Sequence, residues 1–173
     1  MRSFLFKIFI LIISLNFSIS SDWIQKTGDI FQIAIPLSGV YMTYQNDDKI
    51  GREKFLKSYV TTLTTTYLLK KITARERPDG SNTMSFPSGH TSSAFSGASF
   101  INSRYGLKFG IPAYCAASFV GYSRVHAKKH YWTDVIAGAV LATLTNYLFT
   151  KDLDVKVNAH IDPVNHNIHV TVY

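Results

Sequence analysis

The sequence is poor in several residue types, and each shortage excludes something. There is one cysteine, Cys115, in 173 residues, so no disulfide can close within the chain and packing has to hold the fold. Cys115 sits in an apolar run with no thiolate-stabilising neighbour, which reads as a small buried hydrophobe and not as a nucleophile. Acidic residues are scarce, 11 against 18 Lys and Arg, giving a net charge of +7. A basic balance suits nucleic acid, anionic headgroups or phosphorylated substrates. The chain has no basic helix, zinc-finger spacing or aromatic-basic strand motif, so nucleic acid is the weakest of the three. It also has no internal repeat or low-complexity linker, and its length fits one domain with a real core. Uninterrupted apolar runs are short: mean hydropathy is only +0.06, and several runs fall below the roughly 20 residues that cross a bilayer.

Residues 1–20 pair a basic start, Arg2 and Lys7, with an apolar centre and small residues at Ser18 and Ser20. This is the pattern of an export signal, with an uncleaved anchor helix over about residues 4–19 as the competing reading. Residues 22–29 are polar. Apolar patterning then predicts helices over about 29–44, 55–71, 91–103, 108–122 and 132–150, with Pro36 and Gly39 bending the first. Residues 45–54 read as a charged connector, and 74–87 and 123–129 as loops. Ala113, Ala117 and Gly121, then Gly138 and Ala142, recur at steps of four and predict close helix approach. Residues 21–150 thus read as an all-α bundle, five helices or six with the leader. In residues 151–173, two alternating runs flank a turn at 162–165, which predicts a β-hairpin. His160, His166 and His169 lie there, most simply as exposed strand positions.

Charge is concentrated: seven of the 18 cations lie in residues 70–78 (KKITARERP) and 123–134 (SRVHAKKHYWTD). Between these stretches lies Pro87-Ser88-Gly89-His90. His130 and Asp134 are four apart, hence on one helix face. A carboxylate on one imidazole nitrogen leaves the other free to attack. His126, His130 and Asp134 could instead form a metal ladder, but Arg124, Lys128 and Lys129 crowd the same segment and would repel a cation. In the middle stretch, Ser88 and Gly89 open a helix whose backbone amides and hydroxyl can converge on an anion, with His90 placed to protonate a leaving oxygen. An ordinary serine N-cap is the plainer alternative. Lys70, Arg77 and Arg124 supply cations for a phosphoryl group, whereas Lys71 and Arg75 read as solvated charges or headgroup contacts.

These residues, Lys70 with Arg77-Pro78, Pro87-Ser88-Gly89-His90, and Ser123-Arg124 with His130 and Asp134, match the pattern Lys-x6-Arg-Pro, Pro-Ser-Gly-His, Ser-Arg-x5-His-x3-Asp without a gap. Residues 29–150 thereby resemble the type 2 phosphatidic acid phosphatases, a superfamily shared with bacterial class A acid phosphatases and vanadium haloperoxidases. The resemblance implies a metal-independent phosphatase without a cofactor. In it His130 is the nucleophile, Asp134 its orienter and His90 the acid, then base. Lys70, Arg77, Ser88, Gly89 and Arg124 hold the phosphate, and His126 has no role. The implied substrate is a phosphorylated lipid handled at the outer face of the cytoplasmic membrane, or a small phosphoester in a soluble periplasmic version. A haloperoxidase and a non-catalytic headgroup binder are the remaining alternatives.

Overall fold

In a computed structural model the chain is described over residues 21–150, with the backbone of 157–161 and 168–172 beyond. Five helices follow in order: α1 Ser21–Gln45, α2 Lys49–Thr73, α3 Gly89–Tyr105, α4 Leu107–His126 and α5 Trp132–Thr150. Two short strands, β1 Val157–Ile161 and β2 Ile168–Val172, pair antiparallel with His160 opposite His169. The architecture is the all-α bundle expected. The anchor or signal over 1–20 lies outside the described residues.

Local chemistry sets the breaks. Asp48 caps α2 by accepting from the Gly51 amide at 2.8 Å, and α2 stops where Ala74 turns left-handed at φ 42. Ser88 caps α3, accepting from the Thr91 amide and from Thr91 Oγ1 at 2.9 Å. Gly106, at φ 83, ends α3 and begins α4, a dihedral that a side chain would strain.

Helix α3 is the axle: it packs against all four other helices. Its serine-rich sequence follows from that place. Small residues let four neighbours approach, and Ala94, Ala98 and Phe100 are fully buried beside Ser92, Ser96 and Ser99. A Cβ on Gly97 would fall 2.6 Å from the Pro36 nitrogen of α1, and one on Gly138 2.7 Å from the Ser88 carbonyl. The small-residue steps on α4 and α5 do bring helices together: Gly121 abuts Val135, and Ala117 and Ala142 are fully buried. Two hydroxyl contacts join neighbouring helices, Ser93 donating to the Gln32 carbonyl and Thr66 to Ser92, whereas Ser96 Oγ and Ser99 Oγ are buried without a hydrogen-bond partner among the described residues. The large apolar side chains point outwards instead, among them Ile33, Leu37, Leu56, Ile136 and Leu144.

Four expectations need correction. Helix α1 begins at Ser21, not near 29, because its polar first turns have an inward face: Ile24 is buried and Gly28 sits against Ser123. Helix α2 begins at Lys49, so the connector shrinks to the turn capped by Asp48. Helix α4 runs on to His126, which keeps Arg124 on a rigid turn. Cys115 is exposed, on the outward face of α4, where apolar residues are also exposed.

Candidate active site

Alternating helix direction gathers the site at one end of the bundle. It takes the first turns of α1, α3 and α5, the last turns of α2 and α4, and the two loops 74–88 and 127–131. Every expected site residue lies at this end. His130 is buried in the second loop, its backbone amide donating to the Arg124 carbonyl at 3.3 Å. Its Nδ1 lies 3.5 Å from Asp134 Oδ2, an ion-pair distance without a hydrogen bond.

Asp134 is fully buried and held from several sides. Oδ2 accepts from Ser85 Oγ at 2.5 Å and from the Tyr131 amide at 2.9 Å, and Oδ1 accepts from Arg75 Nη1 at 2.8 Å. The Arg75 guanidinium lies 4.1 Å from the Tyr131 ring centre. Arg75 is therefore not the solvated charge expected of it. A buried carboxylate is tolerable because charge and hydrogen bonds meet it from two loops.

The cations surround the histidine. Lys70 Nζ donates to the carbonyls of Met84 at 2.7 Å and Ser85 at 3.2 Å, which ties the end of α2 to the loop. Arg77 Nε donates to Asn82 Oδ1 at 2.9 Å. Burial, with the charges of Lys70 and Arg77, pulls the His130 pKa down to about 4 against the opposing pull of Asp134. His130 is thus a neutral imidazole in an electropositive pocket. Ser88 is fully buried, its oxygen engaged with Thr91 and its backbone amide donating to the Asp134 carbonyl at 2.9 Å. A Cβ on Gly89 would lie 3.7 Å from Lys70 Cε, so this glycine keeps the helix start close to the lysine. His126 is exposed, against the Tyr122 ring and away from the cluster. Among the described residues no group of three or more His, Cys, Asp or Glu is placed to hold a metal.

At the rim, His90 Nε2 lies 2.9 Å from Asp29 Oδ1, and Arg124 Nη1 donates to the same oxygen at 2.7 Å. Lys129 donates to Asp79 at 2.6 Å, joining the two loops and pulling the Asp79 carboxyl well below the usual range. Sequence reasoning passed over Asp29, Ser85 and Arg75. A weak signal existed: Gln25 and Asp29 are four apart on one face, and both contact Arg124.

A family profile described as the PAP2 superfamily matches residues 54–157. The chain belongs to that superfamily. Two curated relatives are lipid A phosphatases. A lipid A 1-phosphatase of Porphyromonas gingivalis is 35% identical over 102 residues, 56% of this chain and 22% of the relative. A lipid A 4'-phosphatase of Helicobacter pylori is 39% identical over 76 residues, 44% of this chain and 38% of the relative. The matched part therefore spans well under half the length of either. The crystal structure of Aquifex aeolicus LpxE superposes with a TM-score of 0.67 at 18% identity, covering 83% of this chain and 93% of that one, which establishes the shared fold.

Proposed function

We propose that this chain is a lipid phosphate phosphatase that works through a phosphohistidine on His130. The observation that carries the reading is a buried imidazole within ion-pair distance of Asp134, in the field of the Lys70 and Arg77 charges. His130 Nε2 attacks phosphorus while Asp134 faces Nδ1 and steadies the charge that forms on the ring. Lys70, Arg77 and Arg124 spread the charge of the equatorial oxygens, and Gly89 and the Ser88 hydroxyl line the same turn. The bond from phosphorus to the leaving oxygen breaks as His90 gives that oxygen a proton. His90 then takes a proton from water, whose oxygen attacks phosphorus. The P–N bond breaks, and His130 returns to its neutral form.

The lipid A phosphatases among the relatives support a phosphorylated lipid as substrate, as a monoester or a pyrophosphate. The distribution of side chains supports a membrane setting. Small and hydroxyl residues fill the inside while large apolar ones face out, the arrangement helices adopt when lipid replaces water outside. An apolar groove of about 390 Å³ between α1 and α2, lined by Ile33, Leu37, Val40, Leu56 and Tyr59, adds to that surface. No helix among the described residues is long and apolar enough to cross a membrane by average hydropathy. The inward hydroxyls and glycines lower that average, and they are the residues that do not face out. The basic start at Arg2 and Lys7, kept on the cytoplasmic side, would put the site end of α1 on the outer face.

The test is phosphate release from lipid phosphates and soluble phosphoesters with chelator present, together with fractionation with and without detergent. Release from a lipid phosphate by a membrane-fraction protein is expected. Labelled phosphate should be trapped on His130, build up in His90→Ala, and vanish in a folded His130→Ala. Release undiminished in His130→Ala would refute the nucleophile assignment, and recovery in the soluble fraction would favour a periplasmic phosphoesterase.

A further inference from the structure

Helix α1 lies wholly before residue 54, where the family profile begins its match, yet it enters the site through one carboxylate. Asp29 Oδ1 is shared by His90 Nε2 at 2.9 Å and Arg124 Nη1 at 2.7 Å. The Gln25 carbonyl, one turn earlier, accepts from Arg124 Nη2 at 2.7 Å, and Ser123 Oγ accepts from Arg124 Nε at 3.0 Å. The approach is close by design of the sequence. A Cβ on Gly28 would fall 2.0 Å from Ser123 Oγ and 2.9 Å from Arg124 Nη2, so only glycine lets Asp29 reach the pair.

Guanidinium carries five N–H donors. Three of those on Arg124 are committed to Ser123, Asp29 and Gln25, which fixes its plane and leaves two for an anion. His90 is fixed in the same way. With Nε2 on the carboxylate, Nδ1 is the nitrogen left for substrate. We propose that Asp29 is a positioning residue for the reaction, holding the acid His90 and the phosphate-binding Arg124 on one carboxylate so that leaving-group protonation and phosphate binding are aligned together. This rests on the phosphatase reading above. In the first step the proton on Nδ1 of protonated His90 passes to the leaving oxygen, while the Nε2 proton stays on the ring and is donated to the Asp29 carboxylate. In the second, Nδ1 accepts a proton from the attacking water, and the ring is cationic again.

A helix clamp with no chemical role would hold Arg124 equally well, so the test must read the chemistry of the leaving group. Asp29→Asn keeps the size of the side chain and removes its charge. The probes are a simple alkyl phosphate, whose alkoxide must be protonated to leave, and p-nitrophenyl phosphate, whose phenolate leaves without much help. The readout is kcat/KM for each, with kcat and KM resolved, in the full chain at equal thermal stability. The expected result is a loss at least tenfold larger for the alkyl phosphate, a fraction of the roughly 10²–10⁴ that a general acid contributes. Asp29→Glu, measured the same way, should recover part of that difference, and it carries the test if the asparagine variant does not fold. An equal loss on both substrates, or none, overturns the proposal and leaves Asp29 a clamp. A wild-type chain that frees phosphate from neither probe nor from lipid phosphates would instead overturn the phosphatase reading, a distinct result.

Discussion

Arg75 Nη1 lies 2.8 Å from Asp134 Oδ1, so the carboxylate facing His130 is itself held by a guanidinium from the opposite loop. With Ser85 Oγ on the other oxygen at 2.5 Å, the carboxylate cannot rotate without losing a partner. Arg75→Ala and Ser85→Ala should each lower kcat by about tenfold, in line with the 10–100-fold typical of groups that orient a reacting residue through another. KM should change little, since neither side chain is placed to hold phosphate. Stopped-flow measurement of phosphoenzyme formation checks this. A rise in KM at constant kcat would mean that Arg75 binds substrate directly.

The depressed pKa of His130 sets the acid side of the pH profile. A histidine pKa lowered from 6.5 to about 4 keeps the ring neutral, and so nucleophilic, well below the ordinary range. The His130-dependent acid limb of kcat/KM should therefore fall near pH 4 and not near 6.5, because that ratio reports the free enzyme. Lys70 is one cause of the shift, so Lys70→Met should move the limb upwards at reduced overall rate. The shift has a stability side too. The unfolded chain takes up the proton first as pH falls below 6.5, so this group weakens the fold between pH 6.5 and about 4. Profiles of both proteins on one substrate separate this from titration of the phosphate.

Much of the clustering of the candidate site was legible because its residues are local in sequence. His130 and Asp134 are four apart, and Ser88 to His90 open a helix. Lys70 and Arg77 bracket a helix end, so spacing alone brought each group near its neighbours. The bundle was legible from patterning, although its inside was not. Apolar periodicity marks helices, but here large apolar side chains turn out and the serines of α3 turn in, an inversion that periodicity does not show. Asp29 and Arg75 were illegible for a different reason. Each is a single charge in a polar segment, and its partner lies 95 residues away for Asp29 and 59 for Arg75. Only the fold decides whether such a charge meets water or an opposite charge.

Gly97 tests the packing that sets α3 among its neighbours. A Cβ there would meet Pro36 N at 2.6 Å and Pro36 Cα at 2.7 Å, both backbone atoms that cannot turn aside. Gly97→Val should force α1 and α3 apart and cost about 1–3 kcal/mol. The melting temperature should fall by about 2–12 °C. Activity should fall as well, because α1 carries Asp29 and α3 carries His90. Val140→Leu, on an exposed face of α5, is the matched control and should leave both unchanged.

Asp48 offers the converse case, a charge cluster at the far end of the bundle. Its carboxylate accepts from Arg104 Nε and Nη2 at 2.6 Å each and from Tyr105 at 3.2 Å, while also capping α2 through the Gly51 amide at 2.8 Å. The Arg104 bonds, against the cost of burial, pull its pKa down to about 2. Asp48→Ala loses both cap and pair, and should cost about 2–3 kcal/mol, roughly 1 of it from the cap. Asp48→Asn keeps a good cap and should cost less. A depressed carboxylate stabilises fully above its unfolded pKa of 3.8 and loses that contribution as pH falls through about 2. The melting difference between wild type and Asp48→Asn should therefore be constant from pH 7 to 5 and close below 3.8. Helix α3 spans about 25 Å at 1.5 Å per residue, which separates this cluster from His90 at its other end. At temperatures where the variant is folded, kcat/KM should equal that of wild type for both alkyl and p-nitrophenyl phosphate. A carboxylate that shifts stability and leaves the reaction alone, set beside one at Asp29 that does the reverse, would separate the two ends of the same bundle into scaffold and chemistry.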